Sequence, residues 1–112
     1  MDMEDAVKTG FTISATGEAG EKWPEYLGHY SLTEEKHNGR PVYKKDEDRY
    51  LYLYRQKDGT WAVSSIVVDI WTVMRSTTAA VSPDLCQHCW LYAGKYAGKY
   101  YPGDITVTSI YN

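Results

Sequence analysis

The segment Asn38–Ser65, NGRPVYKKDEDRYLYLYRQKDGTWAVSS, decides how the chain folds. Two runs of strand-forming residues, Arg49–Arg55 and Thr60–Ser65, flank Asp58-Gly59, a dipeptide that favours a tight hairpin because glycine adopts positive φ at no steric cost. In the first run Tyr50, Tyr52 and Tyr54 alternate with Leu51 and Leu53. Strand side chains point to opposite faces with period two, so the tyrosines share one face and the leucines the other. Neither face is polar, and such a strand belongs inside a sheet or against a second layer.

Outward from this hairpin, short extended runs continue. Gly10–Ala15 (GFTISA) and Ile105–Tyr111 (ITVTSIY) alternate apolar and polar residues, are similar in length, and are expected to pair and close the sheet. Tyr26–Leu32 is expected as a strand, with Gly28 marking a bulge or a close approach of backbones. Thr33–Arg40 reads as a charged connection ending in the turn dipeptide Asn38-Gly39, and Val42–Lys45 as a short strand that Pro41 can begin but not donate to. Ile66–Met74 (IVVDIWTVM) reads as a mostly buried strand carrying one acid, and Ser76–Val81 as a further short one. Pro83 either stops the chain after Ser82 or opens one helical turn. Gln87–Ala93 reads as a strand or turn. Between the runs, TGEAGEKWPEY (residues 16–26) and AGKYAGKYYPG (residues 93–103) read as glycine-rich loops. No amphipathic helix of three turns is present. Seven to eight short strands imply an all-β domain, an antiparallel sandwich or small closed barrel, spanning residues 10–112 behind a flexible acidic tail of residues 1–9.

Composition narrows the classes of function. With 43% hydrophobic and 24% charged residues, the 112-residue chain fits one globular domain with a single core. A net charge of −3 and a pI near 5.5 lack the basic footprint of nonspecific nucleic-acid binding. No run approaches the roughly 20 apolar residues of a membrane span, and the acidic N-terminus is unlike a signal peptide. The sequence therefore reads as soluble and intracellular, although a piece of a larger protein would read the same.

Eleven tyrosines and four tryptophans against one phenylalanine are the unusual feature. Both rings combine an apolar body with a polar tip and suit recognition surfaces as well as half-buried positions. If the face carrying Tyr50, Tyr52 and Tyr54 is open, these phenols and Trp61 form a platform able to stack on sugars or bury a peptide side chain. The competing and preferred reading packs the three tyrosines in the core with their hydroxyls at the rim. Trp23 is a plug over one end of the core or a recognition residue, with the plug preferred. Trp23 and Tyr26, with Tyr96, Tyr100 and Tyr101, give a second candidate surface in loops.

Cys86-Gln87-His88-Cys89 can hold zinc only if His29 or His37 completes the set, since a structural site wants four ligands; Cys86, His88 and Cys89 are weak candidates. The same pair reads alternatively as a redox dithiol, its pKa lowered where Pro83-Asp84 opens a helix with Cys86 at its N-terminus. Two reduced, partly buried thiols are the expected state. Asp46-Glu47-Asp48 lacks the glycine bend of a calcium loop and reads as a solvated turn. No catalytic motif is present, and a Cys89 nucleophile assisted by a histidine is the least strained enzyme reading.

Gly28-His29-Tyr30, Asn38-Gly39-Arg40-Pro41-Val42-Tyr43-Lys44, Tyr50-Leu51-Tyr52-Leu53-Tyr54, Trp61-Ala62-Val63-Ser64, Trp90 and Ile105-Thr106-Val107 follow in an order that resembles a small β-rich module found within multidomain eukaryotic proteins. That resemblance implies a structural or ligand-binding unit without a settled activity. Together these readings favour a noncatalytic binding module for a protein or carbohydrate ligand, using Trp23, Tyr26, Tyr50, Tyr52, Tyr54 and Trp61 and needing no cofactor. The alternative is a thiol-redox or metal-binding protein centred on Cys86 and Cys89.

Overall fold

The fold is that of a computed structural model describing residues 8–47, 50–67, 72–86, 88–94 and 99–110. Its strands are β1 (Gly10–Thr16), β2 (Gly28–His37), β3 (Arg40–Lys45), β4 (Tyr52–Arg55), β5 (Trp61–Ser64), β6 (Met74–Ser76), β7 (Trp90–Ala93), β8 (Tyr100–Pro102) and β9 (Asp104–Ile110). All adjacent pairs are antiparallel, in the order β8-β7-β6-β5-β4-β3-β2-β1-β9. The described residues thus give nine strands where the sequence suggested seven to eight, in one nearly closed, barrel-like sheet.

Closure comes from the end pairing expected of the first and last runs. β1 and β9 align from Gly10↔Ile110 to Thr16↔Asp104. The two outermost strands, β8 and β9, are consecutive in the chain and separated only by Gly103. One extended stretch therefore pairs first with β7 and, past a corner at Gly103, with β1. A Cβ at Gly103 would lie 2.7 Å from the Tyr92 ring and 3.1 Å from the Ala19 methyl, so the corner leaves no room for a side chain.

The two predicted turns use different geometry. Asn38 (φ 53°) and Gly39 (φ 76°) join β2 to β3 with His37 opposite Arg40, the two-residue turn in which both central residues take positive φ. At the deciding hairpin only Gly59 is positive (φ 93°), and the Gln56 N–H donates to the Thr60 carbonyl at 2.7 Å. This is a three-residue loop with glycine in the bulge position. Thr60 supports it by donating both its N–H (2.9 Å) and its hydroxyl (2.6 Å) to Asp58, which with the nearby Arg75 charge holds that carboxyl below the usual range. A Cβ at Gly59 would meet the Ala79 methyl at 2.9 Å as well as the wrong backbone region. Gly59→Ala is expected to lower unfolding free energy by about 1–2 kcal/mol, read from urea melts, whereas an unchanged midpoint would deny the turn its role.

Period-two patterning left open which side of the central strand faces in. Leu51 and Leu53 join Phe11, Ile13, Tyr30, Trp61, Val63, Met74, Trp90 and Ile105 in the main core. The opposite side carries a smaller cluster of Tyr54, Val42 and Ala62, against which Tyr52 and Val67 pack. The second layer demanded by a strand with two apolar faces is thus a thin outer one. Tyr30 donates its hydroxyl to the Tyr26 carbonyl at 2.7 Å, and burial pushes its phenol well above its ordinary pKa.

Four expectations are corrected. Residues 16–26 contain a one-and-a-half-turn helix, α1 (Gly17–Lys22), and a 3-10 turn, Pro24–Tyr26. Thr33–His37 extends β2, because Lys36 and His37 find partners in Pro41 and Arg40 past an irregularity after Leu32. Ile66–Met74 is not one strand: Ile66 bends into solvent, and the chain meets β5 at its end, where the Val73 N–H bonds the Val63 carbonyl at 2.9 Å and Met74 pairs with Val63; residues 68–71 lie outside the described set. Past Ser76 the chain leaves the sheet, since the Ser76 hydroxyl takes the Trp61 N–H and donates to the Thr78 carbonyl in place of a ladder partner. Pro83 does open a single 3-10 turn, Pro83–Leu85. Of the expected tail, residues 1–7 lie outside the described set, while Lys8 and Thr9 are held against the barrel.

Candidate functional site

The six aromatic candidates part company. Tyr26 (8% exposed), Tyr54 (0%) and Trp61 (2%) are core residues and cannot belong to an open platform. The reason is specific to each: Tyr54 turns outward but is covered, with its hydroxyl on the Ile66 carbonyl (3.1 Å) and the His37 ring edge-on at 5.6 Å; Trp61 points inward and donates its indole N–H to the Ala80 carbonyl (2.8 Å); Tyr26 lies beneath Trp23. Trp23 is half-buried over the core, its indole N–H on the Ala93 carbonyl at 2.8 Å, and Lys22 lies 5.5 Å from its ring. Its geometry is that of a plug.

Tyr50 and Tyr52 remain accessible. Tyr50, at 72% the most exposed large apolar side chain among the described residues, stands where the β3–β4 ladder ends; the Lys45 N–H still bonds the Leu51 carbonyl beside it at 2.8 Å. Period two sets Tyr50 on the face of Tyr52. Directly across from Tyr52 lies Lys44, and across from Lys44 lies Ser31. The Lys44 ammonium sits 5.1 Å from the Tyr50 ring centroid, within the range of a cation–π contact. Ser31 donates to Asp46 at 2.6 Å. Three neighbouring strands thus set a phenol, a half-buried second phenol, an ammonium and a hydroxyl–carboxylate pair on one outer face. Of the other loop aromatics, Tyr96 is outside the described residues, Tyr100 is half-buried, its hydroxyl donating to the Thr72 carbonyl at 2.8 Å, and Tyr101 lies over Gly94.

The cysteine motif is not the expected pair of thiols: Cys86 and Cys89 are joined as a disulfide with Cα atoms 5.8 Å apart. In this state neither sulfur is a free nucleophile or a thiolate metal ligand. Cys86 follows the C-terminal end of its 3-10 turn, not the N-terminus of a helix, so no helix dipole acts on it. His29 is engaged with Thr12 (2.7 Å) and His37 with Tyr54, and among the described residues no three His, Cys, Asp or Glu side chains converge on a metal-sized site. Asp46 and Glu47 are exposed, Asp46 being the acceptor for Ser31.

Sequence reasoning missed a second feature, the seam of the barrel. One edge of β9 pairs with β1; the other faces the segment from the 3-10 turn to the disulfide. Between them lies a cleft of about 350 Å³, walled by Asp84, Cys86 and His88 on one side and residues 105–109 on the other. No local pattern signals it, because its walls come from segments some twenty residues apart. Comparisons of the chain with family models, with curated proteins and with solved structures returned no match.

Proposed function

We propose that this chain is a noncatalytic binding module that holds a protein or carbohydrate ligand on the outer face of β3 and β4, with Tyr50 as its anchor. The observation that carries the reading is the 72% exposure of Tyr50 beside half-buried Tyr52 and under Lys44. A large ring held in water at the end of a hydrogen-bonded ladder loses little conformational freedom on binding, so most of its burial can appear as affinity. Tyrosine is enriched at such anchors for the same reason. Lys44 and the Ser31–Asp46 pair supply the polar rim that orients a sugar hydroxyl or a peptide carbonyl. The two motifs behind the resemblance to a β-rich module, Asn38–Lys44 and Tyr50–Tyr54, meet at this face, which supports the same reading.

Tyr50→Ala is expected to weaken binding at least tenfold, about 1.4 kcal/mol, on a glycan array or in a pull-down with the tagged chain. Its thermal midpoint should stay within the small range of exposed substitutions. Blank results for the wild-type chain in both formats, or undiminished binding by the variant, would remove the proposal.

A further inference from the structure

The disulfide at the barrel seam is a poor structural staple. Cys86 and Cys89 are three positions apart, and a crosslink constrains the unfolded chain less the shorter the loop it closes. Its surroundings suit chemistry instead. Cys86 is buried at 5% exposure, whereas Cys89 is only partly covered. The Thr78 hydroxyl stands 2.9 Å from the Cys86 sulfur and 3.7 Å from that of Cys89. Between the cysteines His88, which lines the 350 Å³ cleft beside Cys86, is exposed in a left-handed conformation (φ 59°), a backbone state that non-glycine residues enter rarely.

We propose that Cys86–Cys89 is a thiol–disulfide exchange site that accepts two electrons from a dithiol reaching the partly exposed Cys89 from solvent. One substrate thiolate attacks the Cys89 sulfur; a mixed disulfide forms as the Cys86–Cys89 bond breaks, and the bonding pair leaves on Cys86. The Thr78 hydroxyl hydrogen-bonds that leaving thiolate, which favours its departure because a stabilised thiolate leaves faster; it is then protonated from solvent at the seam. The second substrate thiol, deprotonated in turn, attacks its own sulfur in the mixed disulfide and expels the Cys89 thiolate, which takes up a proton. The substrate ends as a disulfide and the chain as two thiols, with two protons and two electrons passed across. This assignment is independent of the aromatic face.

The test incubates the folded chain in graded dithiothreitol and in glutathione buffers, counts thiols by alkylation and mass, and follows near-ultraviolet dichroism in parallel. The two cysteines should become reduced together while the tertiary signal persists. Cys86→Ser should capture glutathione on Cys89 at least tenfold more than Cys89→Ser captures it on Cys86. Thr78→Val should slow reduction several-fold without moving the thermal midpoint. A disulfide that yields only as the chain unfolds, or capture favouring Cys86, would overturn the proposal; the wild-type measurement decides even if a cysteine variant fails to fold.

Discussion

Trp61→Ala is expected to destabilise the chain by about 3–5 kcal/mol, the usual cost of deleting a buried tryptophan, and to lower the thermal midpoint by roughly 12 °C or more in a domain of this size. Two effects combine. The indole is 2% exposed in the main core beside Leu53, Val63 and Trp90, so its removal leaves a cavity that strands on either side cannot collapse into. Its N–H also fixes the Ala80 carbonyl at 2.8 Å, while the Trp61 backbone N–H rests on the Ser76 hydroxyl. The irregular segment after β6 is therefore folded over this one residue. Trp61→Phe separates the two, since it keeps most of the apolar volume and loses only the hydrogen bond, at about 1–2 kcal/mol. Urea and thermal melts read by circular dichroism decide. A Trp61→Ala chain that melts like the wild type and loses only ligand binding would return Trp61 to the surface platform and contradict the packing.

The fate of Trp61 and its neighbours marks where the sequence is legible. Asp58-Gly59 and Asn38-Gly39 were readable because a turn is a steric property of two or three residues. The strand Tyr52–Arg55 was readable because alternation is local, but alternation cannot say which face is inside when both are apolar. That choice depends on the whole sheet: Leu53 went to the large cluster and Tyr54 to the small one, while Tyr50 escaped both by lying past the last rung of the ladder. The aromatic anchor is thus visible in the sequence as a residue type and invisible as a position. Strand β8 was hidden for a different reason. Tyr100–Pro102 sits between glycines and ends in proline, all breaker signals, yet a proline at an outer strand disturbs no ladder. Nothing in Ile66–Met74 announced that the chain bends at Ile66, since an apolar run is equally compatible with a buried strand and with an exposed bend.

The seam offers the most nonlocal test, because its clamp joins residues 76 positions apart. The Lys8 ammonium bonds both Asp84 oxygens, at 2.7 and 2.8 Å, and the Ser82 hydroxyl at 3.1 Å; Ser82 in turn donates to Asp84, and Tyr43 donates to the Lys8 carbonyl at 3.1 Å. The two charged side chains are only 17% and 14% exposed. Lys8→Met keeps the aliphatic stem and removes the charge, leaving a largely buried carboxylate with only neutral donors, and is expected to cost about 1.5–3 kcal/mol at pH 7. Asp84→Asn should be non-additive with it by at least about 0.5 kcal/mol, as for partners in one network. Acid sets the sign independently. Burial alone pushes the Asp84 carboxyl up, but the hydrogen bonds from Lys8 and Ser82 and the Lys8 charge outweigh it and hold the group below the usual carboxylate range. A carboxyl depressed in the folded state contributes stability that is present above its unfolded value, near pH 4, and is lost as pH falls through the folded one. The gap between wild type and Lys8→Met in urea melts should therefore be full at pH 7 and shrink from about pH 4 downward. A gap absent at neutral pH, or one that persists undiminished to pH 2, would show that the seam is closed by packing and not by this ion pair.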